Sequence, residues 1–291
     1  MKFCKISHIY ITILIIAKCT SGRRSSKAVG LLSPINIDTS RVTPSFKPLK
    51  ISIDVPRTFF SSGIAINTGK EIRAPLTKRQ EMRTPQITIG NITYVQADRH
   101  LLINQDGSHR NRSGHTINGK GYPIEGVNVF ANIDKYGSLE EAKKHPNGIL
   151  VLSLPVDVIE SDIPNPTFIP FGILLRLGEL KEPDSAVKYS SLLAYSMYDS
   201  LIKNHAYYTY TGSLYDPQTK TQIPEVTQIV PQPPYGIISY KQFAAFKNVL
   251  NNNGIPLSTI APLYPVKGRE IKAVKGLFLE IRPFYVTLFV P

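Results

Sequence analysis

Both cysteines of this 291-residue chain, Cys4 and Cys19, lie in its first 20 residues. The same stretch has two early lysines, a mostly apolar run over residues 6–17 and small residues at 20–22, which is the pattern of a secretory signal peptide. The run is too short to cross the roughly 30 Å hydrocarbon core of a bilayer as a helix. We expect residues 1–22 to be cleaved, so that the secreted chain has no disulfide, thiolate nucleophile or cysteine-ligated metal and must fold through its buried core.

The chain is strongly basic. Lys and Arg number 34 against 21 Asp and Glu, and the net charge of +13 falls to +10 when Lys2, Lys5 and Lys18 leave with the signal peptide. Residues 23–31 are basic and rich in serine, and we expect a flexible arm there. Because the chain is expected to be exported and has no nucleic-acid recognition motif, its basic charge indicates an acidic glycan or an extracellular protein as the partner, and not DNA or RNA.

Two glycosylation sequons agree with export. Asn91 and Asn111 each begin an Asn-x-Ser/Thr triplet, which is used only on the secretory route. They are the candidate attachment sites of an extracellular glycoprotein.

The hydrophobic pattern favours strands. Hydrophobic residues make up 42% of the chain and charged residues 19%, as in a globular protein. Alternation over residues 50–55 predicts a half-buried strand, and the apolar run at 149–154 is typical of a strand covered on both faces. Residues 85–95 predict either two strands or one bulged strand.

Two short helices are also predicted. Ser138 with Glu141 has the spacing of a capping box, and the helix that follows is closed by Pro146. Ser239 with Gln242 has the same spacing and opens a second helix. Its apolar face comprises Phe243, Phe246 and Leu250, and residues 251–254 end it.

Several segments, taken in order, resemble the α-class carbonic anhydrase family. They are SPINI at 33–37, KPL at 47–49, NTG at 67–69, GHTINGK at 114–120, KYGSLEEA at 135–142, PNG at 146–148, YYTYTGSL at 207–214 and GREIK at 268–272. The resemblance implies a mainly β single domain over residues 32–275, a twisted, mostly antiparallel ten-stranded sheet with peripheral helices. The remaining 276–291 form a C-terminal extension, whose alternation suggests an added strand or an apolar edge and no membrane span.

The family binds zinc through three histidines, and the resemblance implies that this chain lacks them. The third ligand position falls on Val127. Counting back from His115 without gaps places the first two ligand positions on Leu102 and Asn104. Counting forward from Tyr94 places them on His100 and Leu102 instead. At most one imidazole survives in either register, so we expect no zinc unless this assignment is wrong.

The family's other catalytic positions are also changed. Lys70 stands where the family has its proton-shuttling histidine, and Gly114 stands where the family has a glutamate. Tyr215 and Asp216 stand where the family has two hydroxyl-bearing residues. The resemblance implies that His115, Glu125 and Tyr210 form the buried polar network that the family has beside its site. The other histidines, His100, His109, His145 and His205, are expected on the surface or in loops.

The leading hypothesis is therefore a secreted carbonic anhydrase-like pseudoenzyme that acts as a binding protein. The candidate polyanion-binding residues are Lys78, Arg79, Arg83, Arg110, Arg112, Lys143, Lys144, Lys267, Arg269 and Lys272. One alternative is a zinc-dependent carbonate dehydratase with an irregular site, built from His100 with ligands such as His109 or Asp216. A further alternative is a basic extracellular matrix protein.

Overall fold

The fold is seen in a computed structural model that describes residues 31–45, 51–54, 60–75, 85–105, 114–161, 177–192, 206–216, 219–233, 235–259 and 262–274. The expected signal peptide and C-terminal extension lie outside these residues, as does nearly all of the expected arm.

Fifteen strands form within the described residues. They are β1 (Asn36–Ile37), β2 (Thr43–Ser45), β3 (Ile51–Asp54), β4 (Phe60–Asn67), β5 (Ile72–Arg73), β6 (Gln86–Ile89), β7 (Ile92–Ile103), β8 (Thr116–Ile117), β9 (Ile124–Ala131), β10 (Ile149–Ile159), β11 (Ala186–Leu192), β12 (Tyr207–Asp216), β13 (Thr221–Pro231), β14 (Gly236–Ser239) and β15 (Lys272–Val274). The three segments predicted from alternation and apolar runs correspond to β3, the β6–β7 pair and part of β10, and residues 85–95 contribute to two strands.

One large sheet contains thirteen of these strands. Ten follow one another in the order β11-β4-β5-β7-β9-β10-β13-β12-β15-β2, while β14 joins β10, β6 joins β7 and β3 joins β6. Pairing is antiparallel except between β10 and β13, β10 and β14, and β15 and β2. The mainly β, mostly antiparallel prediction is confirmed, and three strands are added to the expected ten.

Three short α-helices pack against this sheet: α1 (Ile133–Tyr136), α2 (Leu139–Ala142) and α3 (Tyr240–Ala244). The Ser138 hydroxyl accepts from the Glu141 backbone N–H at 3.1 Å, as its spacing predicts. Ser239 and Gln242 form the full reciprocal capping box of α3. Two 3₁₀ turns, Leu177–Leu180 and Ala245–Asn248, complete the helical elements of the described residues.

The second predicted helix ends earlier than expected. After the 3₁₀ turn, Val249 adopts an extended conformation with φ −87° and ψ 118°. Leu250 therefore lies beyond the helix, and its backbone N–H donates to the Lys181 carbonyl at 2.7 Å. Phe243 and Phe246 are buried as predicted.

Alternate side chains of the central strands pack on opposite faces of the sheet. Phe130 and Leu152 belong to a cluster on one face, and Val127, Val129 and Val151 to a cluster on the other. Helices α1 and α2 contribute to the second cluster, so this second face, called here the site face, is covered by helices. In the part of the chain described, no helix has the length and apolarity needed to cross a membrane.

Candidate functional site

The register of β7 against β9 determines which side chains meet on the site face. His100 pairs with Val127 and Leu102 with Glu125, so all four side chains lie on one side of the sheet. Asn104 follows the end of β7, where its backbone N–H donates to the Pro123 carbonyl at 2.7 Å. His100 and Leu102 therefore both lie on the side of Val127, whereas Asn104 lies beyond the last β7–β9 pair.

A bulge in β7 brings Asp98 onto the site face. The register with β9 shifts between Gln96 and Asp98, so that Gln96 pairs with Phe130 but Asp98 pairs with Val129. Without the extra residue, Gln96 and Asp98 would face the same side. The bulge therefore places Gln96 on the face opposite the site face, called here the back face, and the Asp98 carboxylate beside His100.

His100 belongs to a buried ionic cluster, defined here as Glu71, Arg73, Asp98 and His100. Its Nδ1 lies 2.8 Å from Glu71 Oε1, and its Nε2 lies 3.6 Å from Asp98 Oδ2. The Arg73 Nε and Nη2 donate to the same Asp98 oxygen at 2.8 and 2.5 Å. The expectation that His100 lies on the surface is wrong, because β5 and β9 flank β7 at this point.

The cluster favours the protonated imidazole. Burial alone lowers the pKa of His100, but the hydrogen bond and charge of Glu71, with the charge of Asp98, raise it above its ordinary value. With His100 protonated, the cluster holds two cations and two anions, which is the balance that a buried group of charges needs.

A cluster of apolar side chains lies on the same face. Leu102, Val127, Val129, Leu214 and Ile223 pack in one cluster with residues of α1 and α2. Leucine and valine carry no metal-binding atom, and both ring nitrogens of His100 face carboxylates. Across the described ranges no three His, Cys, Asp or Glu side chains are grouped to hold a metal ion. These side chains do not fit a three-histidine zinc site.

A second buried ion pair links α2 to β12. Lys143 Nζ donates to Asp216 Oδ2 at 3.0 Å and to Glu140 Oε1 at 2.8 Å, and the side chains of Lys143 and Asp216 are only 10% and 3% exposed. The neighbouring Tyr215 is 45% exposed. Lys143 was expected among the surface cations, and its burial against Asp216 corrects that expectation.

The network predicted around His115 has a defined geometry. Its Nδ1 lies 2.8 Å from Glu125 Oε1, its backbone N–H donates to Glu125 Oε2 at 2.7 Å, and its Nε2 lies 2.6 Å from the Tyr210 hydroxyl. The Tyr210 hydroxyl in turn donates to Ser33 Oγ at 3.1 Å. These contacts connect β12, and Ser33 in the segment that precedes β1, to strand β9.

Burial and charge set the protonation states in this network. Burial alone raises the pKa of Glu125, but the charge and hydrogen bonds of His115 bring it below its ordinary value, so the carboxylate is ionised. Burial raises the pKa of the Tyr210 hydroxyl. Gly114 packs closely against this carboxylate: a Cβ atom there would lie 2.3 Å from Glu125 Oε2, so a larger residue requires the carboxylate or the backbone to shift.

Several sequence-predicted residues are exposed. Lys70, Asn91, Lys144, Lys267 and Lys272 all lie at the surface. Lys144 also pairs with Glu141 at 2.8 Å, and Lys272 with Glu270 at 3.4 Å.

His145 and Arg269 are held by neighbouring groups. The His145 ring stacks on Tyr136 with centroids 4.4 Å apart and is 41% exposed, as expected of a surface histidine. Arg269 is partly buried, and its guanidinium donates to the carbonyls of Leu32 and Pro265 at 2.7 Å each, so it braces two loops. The predicted residues outside the described residues are Lys78, Arg79, Arg83, His109, Arg110, Asn111, Arg112 and His205.

Glu71, Arg73 and Asp98 were missed from the sequence. The signal that could have found them is a charged residue at an inward position of a predicted strand, because such residues are rarely buried unless they are paired. Their pairing depends on register, which local patterns do not reveal.

The fold and this site define a mainly β domain built on one large mixed sheet. The sequence profile described as eukaryotic-type carbonic anhydrase matches residues 28–275, and the chain belongs to that family. It is 25% identical to human (Homo sapiens) carbonic anhydrase 7 over 248 residues, covering 83% of this chain and 87% of the relative. Mouse (Mus musculus) carbonic anhydrase 7 is also 25% identical, over 251 residues, with the same coverage. The putative carbonic anhydrase-like protein 1 of Caenorhabditis elegans is 32% identical over 93 residues, 32% of this chain and 26% of that relative.

Proposed function

We propose that this protein is a secreted carbonic anhydrase-like pseudoenzyme, which lacks the zinc-binding histidines and acts by binding a partner. The observation that supports the proposal is the β7–β9 register, in which His100 pairs with Val127 and Leu102 lies on the same side of the sheet. The resemblance implies that these three residues stand at the zinc-ligand positions. Two of these three side chains are hydrocarbons. The third is engaged by Glu71 and Asp98.

The surroundings support the same proposal. A hydroxide-producing zinc site needs an open coordination position and polar groups that orient the bound water. Leu102 and Val127 pack instead with Leu214 and Ile223, and Asp216 is bound by Lys143. The same positions cannot both hold packed hydrocarbon and serve as ligands to a metal.

The experiment measures zinc and activity on the same sample. Protein secreted from eukaryotic cells is purified without chelators or metal columns, and zinc per chain is determined by elemental mass spectrometry. We expect no stoichiometric zinc and no carbon dioxide hydration above the buffer rate, with carbonic anhydrase 7 handled identically as the active control. Near-stoichiometric zinc with hydration activity contradicts the proposal and establishes the second candidate, a zinc-dependent carbonate dehydratase. The extensive match to carbonic anhydrase 7 favours that candidate.

The proposed partner is an acidic glycan or an extracellular protein, and the exposed cations supply the means of testing it. Lys144, Lys267 and Lys272 are the exposed members of the predicted cation set among the described residues. Salt-dependent retention on heparin is compared between the wild type and a variant with all three changed to glutamine. Clustered cations release counterions when they bind a polyanion, so the variant is expected to elute at lower salt.

A matched control separates a defined site from bulk charge. The exposed residues Lys70, Lys181 and Lys241, changed together to glutamine, remove the same charge from other positions. Equal losses in the two variants indicate retention through net charge alone, which favours the basic matrix protein. A larger loss in the first variant supports a binding protein.

A further inference from the structure

The turn between β6 and β7 presents a sequon at an exposed hairpin tip. Ile89 pairs with Ile92, which leaves Gly90 and Asn91 as a two-residue turn. Gly90 has φ 60°, whereas Asn91 is not among the residues with positive φ, so the turn has the glycine-first pattern of type II′. Both turn residues are exposed, and a Cβ atom built at Gly90 would meet nothing within 4 Å.

The flanking residues hold this tip in place. Ile89 and Ile92 pack against the back-face cluster, and the Thr88 and Thr93 hydroxyls lie 3.1 Å apart across the hairpin. The tip is therefore anchored by its neighbours while Asn91 itself stands in open surroundings. A bulky hydrophilic group attached at Asn91 would displace none of these contacts.

Asn91, Ile92 and Thr93 satisfy the requirement for N-linked glycosylation, since the central residue is not proline. We propose that Asn91 carries an N-linked oligosaccharide, an inference that rests on the secretion included in the proposed function. The co-reactant is a lipid-linked oligosaccharide diphosphate of the secretory route. The Asn91 amide nitrogen forms a bond to the anomeric carbon, the bond from that carbon to the phosphate oxygen breaks, and the amide loses one proton as the lipid diphosphate leaves.

The attachment position at Asn91 lies far along the strand from the ionic cluster. His100 is nine positions beyond Asn91 along the chain, and a strand rises about 3.3 Å per residue, which gives a separation of up to roughly 30 Å. An oligosaccharide at the tip is therefore attached well away from the buried ionic cluster. Its removal is expected to leave salt-dependent heparin retention unchanged.

The test is expression of the full chain in eukaryotic cells, followed by peptide mass spectrometry of the secreted protein before and after peptide N-glycosidase treatment. We expect the peptide that contains Asn91 to carry an oligosaccharide that the enzyme removes with conversion of Asn91 to aspartate. N91Q and T93A are expected to lose this modification, whereas T93S, which keeps a sequon, retains it. N111Q serves as the matched control and leaves the Asn91 glycan in place.

The outcomes distinguish the site from the route. A secreted chain whose Asn91 is unmodified overturns this inference and leaves secretion intact. A chain retained in the cytosol, without cleavage of residues 1–22, overturns the proposed secretion and the glycan with it.

Discussion

Replacement of Asp98 by asparagine tests the ionic cluster on the site face. The Asp98 side chain is 4% exposed and accepts both hydrogen bonds from Arg73, whose side chain is 13% exposed. Asparagine keeps the shape but removes the charge that balances Arg73 and the His100 imidazolium. Removal of one partner of a buried ion pair costs about 3–5 kcal/mol. We expect the lower value, about 3 kcal/mol, because Glu71 still contacts His100.

Urea unfolding of the mature chain measures this loss as a lower midpoint with an unchanged dependence on urea concentration. The corresponding fall in Tm is about 6–12 °C for a domain of this size. D184N is the matched control, because Asp184 is exposed and asparagine also tolerates its φ of 62°. The control is expected to change stability by less than about 0.5 kcal/mol.

A double-mutant cycle with Arg73→Met isolates the pair itself. The combined R73M/D98N variant is expected to lose at least about 1 kcal/mol less than the sum of the single losses, since the second change removes an already unpaired charge. A loss below about 1 kcal/mol for D98N, or strictly additive losses, would refute the closed ion-pair geometry.

Three further perturbations test the neighbouring groups. G114A places a methyl group against the Glu125 carboxylate, so we expect a loss of about 1–3 kcal/mol in urea unfolding, and an unchanged midpoint contradicts the close approach. K143M breaks a buried ion pair and is expected to lower Tm clearly. K144M changes a side chain that is 67% exposed and is expected to leave Tm nearly unchanged. Similar effects of the two variants on Tm would count against the burial of Lys143. The raised pKa of His100 gives stabilisation that is complete below its unfolded-state value of 6.5 and is lost as pH rises through the folded-state pKa. With rising pH across this range, the unfolding free energy of H100Q should decline less than that of the wild type. Parallel curves for the two proteins would exclude a stabilising role of protonated His100.

The elements that depend on nearby residues were predictable. The buried run at 149–154 became part of β10 because a continuous apolar segment needs cover on both faces. The caps at Ser138 and Ser239 formed because each bond joins residues three apart. The ordered motifs also predicted the family and the mostly antiparallel sheet.

The ionic contacts were decided by the tertiary structure. Arg73 and Asp98 are 25 residues apart, and Lys143 and Asp216 are 73 apart, so no local pattern connects them. The Asp98 pair also requires the one-residue bulge in β7, which changes the face that every later side chain of the strand occupies. By itself the sequence therefore predicted the segments that form β3, the β6–β7 pair and β10, the two helix caps and the family. Only the folded sheet decided that His100 is a buried ion-pair partner and Lys143 a buried cation, because strand register sets which distant charges meet.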